Sequence, residues 1–213
     1  MHAPARHIYL ASRSLRRREL LKQIGVSFEV LLLREAPGRQ VDFDESPQAG
    51  EDAVAYVERI ARYKAEAGWT RLSQRRMLRH PVLAADTTVA LRGEILGKPA
   101  DREEAIAFLR RLSGSVHQVH TAVAVTQEAR LELAISSTEV EFRELSELEI
   151  RNYVASGEPL DKAGAYAIQG RAGMFVRALR GSYSGVVGLP LFETGDLLAS
   201  FGIHPLAPRL KHE

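Results

Sequence analysis

The stretch between residues 116 and 143 constrains the fold of this chain most. "VHQVHTAVAVT" (116–126) and "LELAISSTEVEFR" (131–143) both alternate apolar and polar side chains, and only a few residues separate them. A period of two over that length marks β-strands, and so short a gap makes the two strands antiparallel neighbours. The rest of the chain has to be read around this long hairpin.

Strands and helices intersperse on both sides of it. "HIYLA" (7–11) reads as a strand, followed by a helix from Leu15 to about Ile24 with Ser14 as its N-cap, and "VSFEVLLL" (26–33) reads as a second strand. Residues 34–46 carry Pro, Gly and acids and read as a loop leading into a long helix over about 48–67. Next come a strand over 82–86, a hairpin around Arg92 and Gly93, and a helix over 102–112. Asp101 and Glu104 form a D-x-x-E capping box for that helix, and Ser113–Gly114 form its stop. Ser146 and Glu149 repeat the capping-box spacing before a helix ending at Gly157. A glycine-rich stretch (160–173), a strand near 174–179, a turn at "RGSYSG" and a helix over 190–200 complete the order, with 203–213 as a frayed tail. The expected fold is α/β: a mixed, strongly twisted sheet with flanking helices and room for a cleft between two lobes, in one domain spanning 1–213.

Composition narrows the chemistry. In 213 residues, 45% are hydrophobic, enough for one substantial core. The absence of cysteine excludes disulfides, thiolate zinc sites and cysteine nucleophiles, and fits a reducing compartment. "MHAPARHIYLAS" has no long apolar segment, and no stretch approaches the roughly 18 apolar residues of a membrane span, so a cytoplasmic protein without membrane contact is expected. Formal charge is only +2, yet the pI is near 9.0, reflecting "RSLRRR" (13–18) and "RLSQRR" (71–76). Such clusters are either phosphate-binding or merely solubilising, and position must decide.

Four features sit poorly with a purely structural role. A helix N-terminus favours acids, yet "IYLASRSLRRREL" places Arg16, Arg17 and Arg18 in a first turn, which suits an anion held at the helix start or else three solvated arginines. Val54, Val57, Ala61 and Lys64 share one side of the long helix, so the Lys64 ammonium either snorkels to water or enters a cleft and needs an anionic partner. In "VLAADTTVALRGEILGKP" (82–99) a buried-looking strand ends on Asp86, with Thr87 next and Lys98 held between Gly97 and Pro99. A lone Asp there is ordinarily a turn or cap, but a carboxylate and an ammonium on adjacent segments also suit metal-assisted phosphate chemistry. Finally, "LDKAGAYAIQGRAG" (160–173) combines glycines with Asp161, Lys162 and Gln169. Gln169 offers both a donor and an acceptor, the complement of a uracil or thymine edge.

Taken in order, "LASRSLRRRELL", "RIARYKAEA", "AADTTV", "LGKPADREEA", "LSGSVHQVHTAV", "VASGEPLDKAGAYAIQG" and "GSYSGVVGLPL" resemble the Maf family of nucleoside triphosphate pyrophosphatases across nearly all of residues 7 to 200. The "DKAGAYAIQG" form is similar to the branch acting on dTTP and UTP. The resemblance implies a fold related to the inosine triphosphate pyrophosphatases, a nucleoside triphosphate substrate cleaved to monophosphate and pyrophosphate, and a divalent cation, Mg²⁺ or Mn²⁺. It makes Asp86 the proton acceptor and matches Glu45 to an acidic cleft residue, and these two carboxylates are the expected metal ligands. It places Arg16, Thr87 and Gln169 at substrate-specificity positions, and Ser12, Arg17, Lys64 and Lys98 at the triphosphate. Leu15 departs from the family's frequent proline, and Arg13 from a small residue. A homodimer is compatible with the resemblance, and no nucleic acid partner is expected.

Two other readings compete. An aspartyl-nucleophile phosphatase would show D-x-D-x-T, but "ADTTV" has no second Asp. A non-catalytic nucleotide- or nucleic-acid-binding regulator would use the arginines alone, and the joint presence of "ADT", "GKP" and "DKAGAYAIQG" argues against it.

Overall fold

A computed structural model describes residues 7–33 and 45–206. Most of the loop expected before the long helix (34–44) and the end of the expected tail (207–213) lie outside the described residues. Seven strands form one sheet: β1 (His7–Leu10), β2 (Ser27–Val30), β3 (Val82–Leu91), β4 (Glu94–Leu96), β5 (Val116–Gln127), β6 (Arg130–Phe142) and β7 (Val176–Arg180). Their order is β2-β1-β3-β5-β6-β7, with β4 also on β3. The pairs β1–β2 and β1–β3 are parallel and every other pair is antiparallel, so the sheet is mixed as expected. The hairpin that alternation identified is the spine: β5 and β6 pair from Val116↔Glu141 to Gln127↔Arg130.

Helices α1 (Leu15–Gln23), α2 (Ala53–Gln74), α3 (Arg102–Leu112), α4 (Glu147–Ala155), α5 (Tyr183–Val187) and α6 (Leu191–Ser200) flank the sheet. Two of the local start signals act as read and the third only in part: Glu104 Oε2 takes the Ala100 amide at 2.6 Å, so Asp101 and Glu104 do not form a reciprocal capping box. Ser14 Oγ accepts from the Arg17 amide, Asp101 Oδ1 from the Glu104 amide, and Ser146 and Glu149 form a reciprocal capping box. In place of a plain turn, "RGSYSG" contains the short α5, capped by Ser182.

Several boundaries differ from expectation, and β2 keeps only Ser27–Val30 of the expected 26–33. Helix α2 starts at Ala53, because Asp52 Oδ1 takes the amides of Val54 and Ala55, and it runs on to Gln74 because Leu72 continues its buried stripe. Val54 is exposed, and Val57, Ile60, Ala61, Ala65 and Gly68 make the buried face instead. Gly68 is required there, since a Cβ would lie 2.8 Å from a Val82 methyl carbon and 3.1 Å from the Ala11 Cβ. Strand β3 does not stop at Asp86 but continues to Leu91, because Thr87 and Thr88 pair with Thr121 and His120 of β5. Ile203, assigned to the tail, is buried, and its amide donates to the Leu198 carbonyl at 2.9 Å.

Alternation along β3 sorts the core. Val82 and Ala84 pack with α2, whereas Leu83 and Ala85 pack with Leu20 and Leu21 of α1 and Leu197 and Leu198 of α6. A third cluster joins α3 and α4 to Phe142, Tyr166 and Phe175. Within it His117 Nε2 lies 2.8 Å from Tyr166 Oη, and burial pushes the imidazole down to about 4 from its ordinary 6.5. Between those values the unfolded chain binds the extra proton and the folded one does not, so stability is complete above pH 6.5 and falls as pH drops towards 4. The linkage amounts to about 3 kcal/mol. His117→Gln, which cannot titrate, is expected to flatten that part of the denaturation-versus-pH curve relative to the parent.

Candidate active site

The sheet itself creates the opening. Strand β1 lies beside Val82 and Leu83, then the chain turns away through Ser12–Ser14 into α1; β4 takes up the same side of β3 only from Val89. Among the described residues no strand lies beside β3 between them. This is where a parallel partner gives way to an antiparallel one, the kind of topological break that leaves a crevice for ligands. The cleft there has a volume of about 850 Å³. Asp86 and Thr87 stand at its floor, and as strand neighbours they address opposite faces: Asp86 the side of α2, Thr87 the side of α1 and α5.

On the α2 side, Lys64 does not snorkel to water. It lies one turn beyond the buried Ile60 and Ala61, and its Nζ donates to Asp86 Oδ1 at 2.8 Å and meets Glu45 Oε1 at 2.7 Å. The Lys64 and Asp86 side chains are 11% and 14% exposed, the Glu45 side chain 43%. Burial pushes the Lys64 ammonium down, but Asp86 and Glu45 together outweigh it and leave it above its ordinary value. For Glu45 burial pushes up; Lys64 foremost, then Lys98 and Arg17, hold the carboxyl below its usual range. The anionic partner that Lys64 needs is therefore a pair of carboxylates.

On the other face Arg17 is built into the wall. Its Nε donates to the Gly188 carbonyl at 2.8 Å, Nη1 to Ser12 Oγ at 3.2 Å and Nη2 to Thr87 Oγ1 at 3.2 Å. Proton counting sets the polarity of two hydroxyls. Ser12 Oγ accepts from both Arg17 and the Ser14 amide, which leaves its own proton to donate. Thr121 Oγ1 lies 2.8 Å from the Gly185 carbonyl, which can only accept, and 3.0 Å from Thr87 Oγ1. Thr121 has one proton and gives it to Gly185, so Thr87 donates to Thr121 and keeps acceptor character towards the cleft.

Arg16, Lys98 and Gln169 line it too, so all nine residues that the family resemblance put at the site border one cleft, whereas Arg18, the third arginine in the first turn of α1, is not in the lining. Among the described residues the lining holds six basic and four acidic side chains, an excess that suits a polyanion. "RSLRRR" supplies three of these arginines, whereas "RLSQRR" closes the C-terminal end of α2, where positive charge suits the helix dipole, and contributes nothing to the lining. Leu15, in place of the family's proline, is the first helical residue of α1, the position at which proline is best tolerated. Arg13 Nη2 donates to the Leu33 carbonyl at 3.3 Å.

The Gln169 loop is fixed from behind. Tyr153 Oη accepts the Ala167 amide at 3.1 Å and donates to Glu158 Oε1 at 2.8 Å, while Glu158 Oε2 takes the Arg171 amide at 3.3 Å. That carboxylate lies against Gly170, where a Cβ would meet Oε1 at 2.2 Å, so a side chain there would displace Glu158 from these bonds. Tyr56, Thr121, Tyr153 and Glu158 escaped sequence reasoning. Each is an ordinary core or helix residue by pattern, and only the folded contacts reveal it.

Fold and cleft together define an α/β protein with a basic crevice at a break in a mixed sheet, floored by a carboxylate. A family model described as "Maf-like protein" matches residues 7–201. Proteins called dTTP/UTP pyrophosphatase are similar over nearly the whole chain. That of Nitrosomonas europaea is 58% identical over 92% of this chain and 95% of its own, that of Aromatoleum aromaticum 57% over 93% and 97%, and that of Dechloromonas aromatica 55% over 93% and 99%. The Staphylococcus aureus Ham1 protein structure aligns with a TM-score of 0.42 at 20% identity, over 64% of this chain and 71% of that one. The chain belongs to the Maf family.

Proposed function

We propose that this protein hydrolyses dTTP and UTP to the nucleoside monophosphate and pyrophosphate, acting on free nucleotides in the cytoplasm. The observation that carries the reading is the Lys64-bridged carboxylate pair beside Arg16, Arg17 and Lys98 in one cleft, in a chain whose relatives bear the pyrophosphatase name. Among the described residues no helix is long and apolar enough to cross a membrane.

The donor set fits a hard divalent cation. Asp86 and Glu45 each give one oxygen to Lys64 and keep a second, and Mg²⁺ commonly takes one or two carboxylates plus substrate phosphates and water. No group of three or more His, Cys, Asp or Glu positioned for a metal occurs among the described residues, so substrate oxygens would complete the shell. Asp86 and Glu45 would hold the ion, which when bound neutralises triphosphate charge and makes the attacking water more acidic.

The remaining steps belong to the protein's own side chains. Asp86, oriented by Lys64, accepts the proton of a water attacking the α-phosphorus in line. Arg16, Lys98 and the donating hydroxyl of Ser12 bind the triphosphate, and Arg17 fixes Ser12 and Thr87 while adding positive charge. The accepting oxygen of Thr87 suits an N–H or O–H of the nucleoside. Gln169 reads the pyrimidine edge.

A panel of nucleoside triphosphates with and without Mg²⁺, scored for pyrophosphate against orthophosphate, tests the proposal. dTTP and UTP are expected to lead and to release pyrophosphate; orthophosphate alone would overturn attack at the α-phosphorus. A nucleotide sensor would bind dTTP without releasing pyrophosphate, and a nucleic-acid binder would show steep salt dependence. Gln169→Ala is expected to lower the dTTP-to-ATP ratio of kcat/KM about tenfold or more, the scale of one or two lost polar contacts. An unchanged ratio removes Gln169 from base reading.

A further inference from the structure

We propose that Arg59, acting with Glu51 and Tyr56, is a positioning device that delivers Glu45 to Lys64. The inference rests on the reading of Glu45 as a working acid of the cleft.

Glu45 lies outside regular structure, ahead of α2, and its side chain is 43% exposed. Contacts to its backbone therefore bear on where that side chain is presented. Two contacts tie that backbone directly to the first two turns of α2, and a third does so through Glu51, just ahead of the helix. Tyr56 Oη donates to the Glu45 carbonyl at 3.0 Å, and Arg59 Nη2 donates to the Ser46 carbonyl at 3.1 Å. The Gln48 amide donates to Glu51 Oε2 at 3.0 Å, and the Arg59 fork closes on the same carboxylate through Nε and Nη2, both at 2.6 Å.

The clamp is well shielded. The Arg59 and Glu51 side chains are 14% and 8% exposed, and the guanidinium carbon lies 5.6 Å from the Tyr56 ring centre and 5.8 Å from that of Tyr63. A bidentate fork between aromatic faces has one favourable geometry, which a lysine cannot reproduce. Tyr56, Arg59 and Tyr63 follow helical spacing on α2, and Lys64 is the next residue of that helix. One rigid element thus presents both the ammonium and the clamp that brings Glu45 to it, so the Glu45–Lys64 spacing is set within α2 and the short segment before it. Because Arg59 and Glu51 neutralise each other, the clamp can position Glu45 while adding little net charge to the cleft.

A double-mutant cycle tests this, using dTTP turnover, thermal unfolding and amide hydrogen exchange over residues 46–51. Misplacement of a working group by about 1 Å can cost up to 100-fold, so Arg59→Ala is expected to lower kcat/KM by roughly 10- to 100-fold. Tyr56→Phe, which removes only the hydroxyl on the Glu45 carbonyl, is expected to act in the same direction and serves if Arg59→Ala folds poorly. Glu45→Gln combined with Arg59→Ala should be no worse than Glu45→Gln alone, because a lost acid has no position to lose. Arg59→Lys should recover only part of the activity. Gln48 amide exchange should quicken in Arg59→Ala and stay at the parental rate in Glu45→Gln. Multiplying effects in the double variant, or parental turnover in both Arg59→Ala and Tyr56→Phe, would overturn the positioning role while leaving Glu45 in place. Near-parental turnover in Glu45→Gln would instead overturn the reading of Glu45 itself, and the role of Arg59 with it.

Discussion

Asp86→Asn is expected to keep the fold and to lose turnover by roughly 100- to 10,000-fold, the range over which a positioned acid or base contributes. The fold should survive because the backbone of residue 86 is paired with Ala122 in the middle of the β3–β5 ladder and takes nothing from the side chain. An amide oxygen can still accept from Lys64 Nζ at the 2.8 Å that Asp86 Oδ1 occupies. The substitution removes basicity and one negative charge while leaving shape nearly intact. Binding of dTTP should change much less than kcat, since Arg16, Lys98 and Ser12 remain. Pyrophosphate release and circular dichroism on the same preparation check both halves. Near-parental turnover would remove Asp86 from the mechanism.

What could be read from the chain in advance follows the range of the interactions. The β5–β6 hairpin and the Asp101 and Ser146 caps are local patterns, complete within a few residues, and they appear where alternation and spacing put them. The errors lie where a distant partner decides. Two threonines after Asp86 look like the end of a strand, but β5 supplies Thr121 and His120 opposite them, and the strand runs on. "TRLSQ" is mostly polar and lies past the expected helix end near 67, yet Leu72 finds the same core as Val57 and Ala61, and α2 continues with it. The cleft shows the same division. Lys64 and Asp86 stood out because a charge at the end of an apolar pattern is conspicuous. Thr121 and Arg59 did not, because a threonine in a strand and an arginine on a helix are unremarkable until Gly185, or Glu51 and Ser46, is brought beside them.

Lys64→Met is expected to damage both activity and stability, with the stability loss dependent on pH. Methionine has nearly the length of lysine and can fill the same groove over Ala61 and Ala65, but it leaves Asp86 and Glu45 converging on an apolar group. Breaking a fully buried ion pair costs about 3–5 kcal/mol. Glu45 is 43% exposed, and solvent screening brings the expected loss at neutral pH to about 1–2 kcal/mol. In the parent, Glu45 is held below its ordinary 4.5, so its contribution is present above that value and is lost as pH falls through the folded-state value. In Lys64→Met the cation foremost in holding it down is gone, burial is less opposed, and its pKa moves up. The variant therefore recovers relative stability as acid protonates Glu45. The gap between parent and variant in denaturant unfolding should be widest near pH 7 and narrow as pH falls towards 4. Turnover should fall by roughly 100- to 1,000-fold, the scale for one preorganised charge at a transition state. A gap of constant size across that pH range would mean that Lys64 stabilises the fold through its packed stem and that the paired carboxylates are not what its ammonium is there to balance.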